Sequence, residues 1–346
     1  MLPAELKGAP TGLPGPRVAV VTGSNGFVGS WLCRALGDGG VQVRGIGRHD
    51  PGRHPPGMAY HRADLLDAAA LRPALAGADT VVHLAARVHV MRESAEDPAS
   101  AYRRVNVDGT RVLLGEAVRA GVTRVVFASS VKAVAEASDV PLSEDTEPKP
   151  IDPYGASKLE AEELVRAMAE RHALEATILR FPLLYGPGMK GNMLSLFQLV
   201  DRGIPMPLGL VRNRRSLGFV GNVAAAIFAV LQAPAAGPRT FFVSDGRDLS
   251  TPELLRLIGD ALERKVRLLP VPVSLFRAAG HAGDLISRVQ PVPLTSAAVD
   301  RLLGSLTVDS SALTRTLGFR PPYSVEEGLG ITAQWYRDRQ GAGAGR

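Results

Sequence analysis

Along the first half of the chain, short runs of consecutive apolar residues alternate with longer stretches in which apolar positions recur every three or four residues. The runs Arg17–Thr22, Val41–Ile46, Ala59–Arg62, Thr80–Ala85, Arg124–Ser129 and Ala176–Phe181 read as strands, and the periodic stretches between them as helices. The strand candidates are continuous apolar runs without polar alternation, which is what burial on both faces requires. The pattern therefore predicts an α/β fold, a doubly wound parallel sheet covered by helices on both sides. After Phe181 the texture changes. Pro182, Gly186-Pro187-Gly188, Pro205, Pro207 and Gly209 interrupt the helical segments and predict a smaller lobe beside the sheet. Within it, Ser250-Thr251-Pro252-Glu253 is a capping-box pattern that opens the amphipathic run Leu254, Leu255, Leu257, Ile258.

The turn after the first run carries three spaced glycines in Thr22-Gly23-Ser24-Asn25-Gly26-Phe27-Val28-Gly29, followed by an amphipathic segment through Trp31, Leu32 and Leu36. Strand, glycine turn and helix start in this order suit a dinucleotide. Each glycine removes a Cβ where the backbone must turn tightly, approach a pyrophosphate or let the helix lie close to the strand. The unpaired N–H groups of the helix start then face the anion. Gly23, Asn25, Gly26, Phe27, Val28 and Gly29 are the first candidate cofactor contacts. On this reading the chain divides into a flexible arm (1–16), a dinucleotide-binding domain (17–181), a mostly substrate-binding lobe with return segments to the sheet (182–338) and a flexible tail (339–346).

A second constellation is Asp152-Pro153-Tyr154-Gly155-Ala156-Ser157-Lys158. Asp152 is an N-cap residue and Pro153 the first helical position, so Tyr154 and Lys158 project from one face of one helix. A phenol titrates near 10, and bringing it to pH 7 requires roughly 4 kcal/mol of differential stabilisation. A nearby ammonium and a cationic nicotinamide ring favour the phenolate. At the end of Phe127-Ala128-Ser129-Ser130, Ser130 is the candidate hydroxyl for a reacting carbonyl or alcohol oxygen, with Ser129 as the competing choice.

Composition then narrows the field. The chain has 346 residues, 45% of them hydrophobic, and a formal charge of +6 with Lys and Arg scattered among Asp and Glu. Nucleic acid is a poor partner for that distribution, whereas an anionic small molecule remains open. A single cysteine, Cys33, excludes an intramolecular disulfide and a thiol-enclosed metal, and fits a reducing compartment. The seven histidines show no ligand-like spacing, so no metal is expected. No apolar stretch approaches the roughly 20 residues that cross a bilayer, and the N-terminus lacks the pattern of a signal peptide. A cytoplasmic protein without membrane contact is the expectation.

Taken together, Thr22–Gly29, Asp64-Leu65, His83-Leu84-Ala85-Ala86, Asn106-Val107-Asp108-Gly109-Thr110, Ser129-Ser130, Tyr154 with Lys158, and Leu179-Arg180 with Tyr185-Gly186-Pro187-Gly188 resemble the extended short-chain dehydrogenase/reductases over about residues 17 to 338. The likeness is to their nucleotide-sugar epimerase, dehydratase and reductase branch. It implies a Rossmann-type sheet, with Ser130, Tyr154 and Lys158 as the catalytic residues, Asp64 and Leu65 at the adenine, and Leu84, Ala85 and Ala86 on the cofactor-facing strand end. In Val43-Arg44-Gly45-Ile46-Gly47-Arg48, Gly47 stands where an acid would hold the ribose 2′-OH of NAD, and Arg48 follows where it could meet the 2′-phosphate of NADP. NADP is favoured, and Asp50 keeps NAD open.

Dehydratases of the branch follow the catalytic Ser/Thr with an Asp-Glu pair, whereas Val131-Lys132 follows Ser130 here, which disfavours dehydration. The segments His83–Met91 and Ser129–Lys132 resemble UDP-N-acetylquinovosamine dehydrogenases and 4-ketoreductases, and UDP-glucose 4-epimerase-like proteins. The implied reaction is reduction of a UDP-4-keto-6-deoxy-N-acetylhexosamine by NAD(P)H. The alternative is a UDP-hexose 4-epimerase with tightly bound NAD. Further alternatives are an NADPH-dependent reductase of a hydrophobic ketone and a non-catalytic dinucleotide-binding module. For the UDP-sugar, Arg215 matches the family's phosphate-binding arginine, Arg301 a second one and Asn192 an amide near the nucleotide, while Arg87 reaches the sugar; solvent-facing charge is the other reading of the arginines. Leu183 replaces the family's asparagine after the sixth strand. Helices like those containing Asn106 and Tyr154 pair between subunits in relatives, so the resemblance also implies a homodimer.

Overall fold

The computed structural model describes residues 15–50, 52, 54–88, 97–234, 239–286 and 295–343. The arm expected at the N-terminus lies, apart from its last two residues, outside that set. The chain runs through β1 (Val18–Thr22), α1 (Phe27–Asp38), β2 (Gln42–Gly47), β3 (Ala59–Arg62), α2 (Ala68–Leu75), β4 (Thr80–His83) and α3 (Pro98–Arg103). A π-helical turn, Arg104–Asp108, leads into α4 (Gly109–Arg119), then β5 (Arg124–Ser130), a short 3-10 turn at Val131–Ala133, α5 (Pro153–His172) and β6 (Glu175–Phe181). There follow β7 (Leu183–Tyr185), α6 (Gly191–Asp201), β8 (Arg215–Phe219), α7 (Val220–Gln232), β9 (Arg239–Phe242) and β10 (Asp248–Leu249). The chain closes with α8 (Thr251–Leu262), α9 (Val273–Ile286), α10 (Ser296–Leu303), α11 (Ser311–Leu317) and α12 (Val325–Gly343).

Seven strands form a parallel sheet in the order β3-β2-β1-β4-β5-β6-β9. The strand order reverses between β1 and β4, and the crevice at their carboxyl ends is where a Rossmann-type sheet takes its ligand. Alternate residues of each central strand enter different cores. Val20, Val81, Val125 and Ile178 pack with Leu71, Leu113 and Val165, whereas Ala19, Val21, Val82, Val126 and Leu179 pack with Leu32, Leu36, Ile227 and Leu231. Both faces are covered, so the middle of each central strand is apolar at successive positions, as in Ala19-Val20-Val21, Val81-Val82 and Val125-Val126-Phe127. β3 departs from the expectation of continuous apolar runs because it is the edge strand, with Ala59 and Arg62 exposed and Tyr60 and His61 half-buried. β4 ends at His83 and not at Ala85, because the Ala85 N–H leaves the ladder for Thr22 Oγ1 at 3.1 Å.

Beyond Phe181 the chain builds a lobe around β10-β8-β7, with β8 parallel to β7 and antiparallel to β10. Phe197, Phe219, Leu255, Ile258 and Tyr336 form its core. At the start of α8 the capping box is present: Ser250 Oγ accepts from Glu253 N at 3.3 Å, and Glu253 Oε2 accepts from Ser250 N at 2.8 Å. β9 then returns to the sheet and pairs with β6 from Thr177–Arg239 to Arg180–Phe242. The segment expected to be a flexible tail is helical as far as Gly343. α12 is anchored by the buried Leu329, Ala333 and Tyr336, and Gln340 Nε2 donates to Tyr336 Oη at 2.7 Å one turn further on. Among the described residues no helix is long and apolar enough to cross a membrane.

Candidate active site

The glycine turn sits at the carboxyl end of β1. Gly23 has φ +67°, a left-handed conformation that side chains with a Cβ disfavour, and its N–H donates to Ile46 O at 2.8 Å. A Cβ on Gly29 would overlap the Gly23 carbonyl, so helix and turn can lie this close only with glycine there. No side chain caps α1, so its first-turn N–H groups are not taken up by a cap and suit an anion. A Cβ on Gly23 would lie 3.0 Å from Ala85 N and 3.2 Å from Leu84 C, so Leu84 and Ala85 border the same turn. Leu65 is buried against Gly109, and exposed Asp64 accepts from Leu66 N at 3.0 Å. This cradle fits the pyrophosphate and adenosine of a dinucleotide.

At the end of β2, the seat for an acid is closed: a Cβ on Gly47 would overlap the Tyr60 hydroxyl. Tyr60 Oη and Asn25 Nδ2 both donate to His49 O, at 2.7 and 2.8 Å. Arg48 is exposed beside them, and its carbonyl accepts from Arg62 Nε at 3.2 Å. The Asp50 carboxylate is engaged by Gly52 N at 2.7 Å and His54 Nε2 at 2.9 Å, contacts that hold it below its usual pKa.

Asp152 starts α5 as the sequence implies, its Oδ1 accepting from Gly155 N at 2.6 Å with Pro153 in the first turn. Tyr154 is half-buried and hydrogen-bonded to Ser130. Lys158, one turn on, is buried; its Nζ donates to Ala128 O at 2.6 Å and lies 4.0 Å from the Phe127 ring centre. Ser129, the competing hydroxyl, instead donates to Glu162 Oε1 at 2.5 Å, on the other face of the strand. Burial pushes the Tyr154 phenol up to about 12, and Asp152 and Tyr102 act in the same direction, with only the Ser130 hydrogen bond opposing. In this arrangement desolvation is the largest influence on the phenol, while Lys158 Nζ uses one of its three N–H donors on Ala128 O. Burial also brings Lys158 down to about 7, against an opposing pull from Glu162. His83 is buried between the Thr22 and Thr110 hydroxyls, at 2.7 and 2.9 Å, and burial lowers it to about 3, so it is neutral.

Of the expected substrate contacts, Arg87 reaches this group: its guanidinium lies 5.3 Å from the Tyr102 ring centre, and that ring is 5.9 Å from Tyr154's. Asn192 is exposed in the first turn of α6. Arg215 is half-buried at the start of β8, where its Nη2 donates to Gly304 O at 3.0 Å and burial lowers its pKa. Arg301 lies in α10, and its side chain lies outside the described residues.

Three contacts were not legible as part of the site. Asn106, in the π-helical turn, accepts from Arg87 N at 2.8 Å and donates to Arg87 O at 3.0 Å and Ser157 Oγ at 2.9 Å, clamping the loop after β4 to α5. Lys132 Nζ lies 2.7 Å from Asp152 Oδ2 and 3.0 Å from Glu136 Oε1, tying the turn after β5 to the α5 cap. Glu162 and Arg180 form a buried pair beneath the lysine. The four-residue step from Lys158 to Glu162 was the available signal for the last.

A parallel sheet with a glycine turn at its crevice and a Ser–Tyr–Lys group beside it defines a dinucleotide-dependent oxidoreductase type of site. Residues 19–243 match the NAD dependent epimerase/dehydratase family. The chain is 37% identical to a UDP-glucose 4-epimerase of Vibrio cholerae over 92% of its own length and 95% of that protein. It is 30% identical to an N-acetyl-alpha-D-glucosaminyl-diphospho-ditrans,octacis-undecaprenol 4-epimerase of Escherichia coli O157:H7, over 91% and 94%. Among solved structures it resembles MoeE5 in complex with UDP-glucuronic acid and NAD, at TM-score 0.75 and 28% identity, covering 93% of this chain and 99% of the other. The chain belongs to the NAD dependent epimerase/dehydratase family, and with it to the NAD(P)-dependent enzymes.

Proposed function

We propose that this protein exchanges a hydride at C4 of a UDP-sugar, and that its forward reaction is reduction of a UDP-4-keto-6-deoxy-N-acetylhexosamine. A bound nicotinamide dinucleotide supplies the hydride. Ser130 donates a hydrogen bond to the C4 carbonyl oxygen, Tyr154 delivers a proton to that oxygen, and Lys158 holds the nicotinamide ribose. The observation that carries this reading is the placement of Tyr154 and Lys158 one turn apart on α5 against the end of β5, where Ser130 lies and where Lys158 Nζ donates to Ala128 O; a phenol there is suited to quench an alkoxide as it forms. Arg215, Arg301 and Asn192 hold the nucleotide diphosphate, and Arg87 the sugar. With Gly47 closed by Tyr60 and Arg48 beside it, NADPH is the preferred donor, and Arg48→Ala should narrow its advantage over NADH.

The test incubates purified protein with the 4-keto sugar nucleotide and NADPH, following absorbance and product configuration. Stoichiometric NADPH consumption is expected. A second reading, UDP-hexose 4-epimerase, is favoured by the 37% identity to the Vibrio cholerae enzyme across nearly its full length. Interconversion of C4 epimers without net coenzyme consumption would carry that reading instead. Failure to bind UDP at all would sink both.

A further inference from the structure

We propose that Glu162 is a positioning residue for the reacting group, supplying the buried negative charge that keeps the Lys158 amine an ammonium and fixing, through Ser129, the strand end from which Ser130 projects. The inference rests on the roles given above to Ser130, Tyr154 and Lys158, and adds a side chain beneath them. Tyr154, Lys158 and Glu162 follow one another at four-residue steps on α5 and so share one face. Glu162 is fully buried. Its Oε1 accepts from Ser129 Oγ at 2.5 Å and Arg180 Nε at 3.0 Å, and its Oε2 from Arg180 Nη2 at 2.8 Å and Arg166 Nη2 at 2.9 Å. Ser129 and Arg180 are register partners on β5 and β6, so one carboxylate joins three elements at the carboxyl end of the sheet.

Holding those elements together does not require charge. A buried ion pair loses in desolvation about what it regains in attraction, and an apolar pair of similar volume would serve as well. What an apolar pair cannot do is face an amine. Around Lys158 stand Ala128 O and the Phe127 ring from β5, neutral His83 from β4, and Tyr154 and Glu162 from its own helix, with Arg166 and Arg180 behind Glu162. Glu162 is the carboxylate of that group, and it counteracts the burial that drives the lysine toward neutrality. An uncharged Lys158 would lose its strongest hold on a ribose hydroxyl and its electrostatic support for a phenolate in the reverse direction.

The experiment is a titration of the six lysines by NMR of the lysine Cε carbons, with the Lys158 signal assigned by its absence in Lys158→Met. Glu162→Gln combined with Arg180→Met removes both buried charges together. In that variant the Lys158 midpoint should fall by about one pH unit, a roughly ten-fold loss of proton affinity, and the alkaline limb of kcat should move down with it. Glu162→Asp keeps the charge and should restore the midpoint. Ser129→Ala cuts the tie to β5 alone; it should lower kcat and leave the lysine midpoint in place. An unchanged midpoint in the double variant overturns the proposal, as does parental kcat in Ser129→Ala. If the double variant does not fold, Glu162→Gln alone is read by the same signal and the same criterion. The titration needs no substrate, so a shifted lysine in a protein that reduces no keto sugar would count against the proposed reaction and not against this inference.

Discussion

Two side chains one turn apart carry opposite shifts, and each makes a different prediction. Tyr154→Phe removes the hydroxyl but keeps a ring against Tyr102, so turnover should fall by at least about 100-fold while coenzyme affinity, read by fluorescence titration, stays unchanged. Lys158 speaks to stability. Below pH 7 it is protonated in the folded and unfolded chain alike, and the folded state bears the whole cost of a buried ammonium, since its pKa is lowered from 10.5 to about 7. As pH rises from 7 toward 10.5, the unfolded chain alone still holds the proton, and that cost fades at about 1.4 kcal/mol per pH unit. Lys158→Met should therefore raise Tm at pH 6, with the gain shrinking to nothing near pH 10, as scanning calorimetry across that range would show. The sign of the tyrosine shift was not readable in the sequence, because desolvation belongs to the neighbours that Tyr102, Asp152 and Ser130 become only after folding.

Helix starts tell a complementary story, since their signals are short-range and were legible at both α5 and α8. Asp152→Ala should cost about 1 kcal/mol for the lost cap, and should also depress turnover, because the same carboxylate holds Lys132 and sits two residues from Tyr154. Ser250→Ala breaks the α8 capping box at a similar cost in urea denaturation and should leave turnover alone. The six strands of the first half were also readable within a residue or two, the inner five because two-sided burial leaves successive apolar positions. β7, β8 and β10 were not: they are short, and their pairing depends on distant partners such as the Arg215–Leu306 bridge. Likewise Ser129 and Ser130 are adjacent positions on one strand, and the pairing of Ser129 with Glu162 depends on another element.

Across the molecule, the proposed substrate contact at Arg215 and the closing of the sheet fall on the same excursion of the chain. If Arg215 holds the diphosphate, UDP at 100 times its Kd should stabilise the protein by about 2.7 kcal/mol, and Arg215→Met should abolish that thermal shift with kcat little altered. The lobe that contains Arg215 interrupts the sheet: β9, which pairs with β6 and carries the buried Phe241 and Phe242, comes after β7, α6, β8 and α7. On the ribosome, then, six strands must wait for the seventh, with the outer rim of β6 uncovered and open to pairing with another nascent chain. A gene divided after Phe181 would yield two halves that are insoluble when made apart, and that recover together only if synthesised in the same cell.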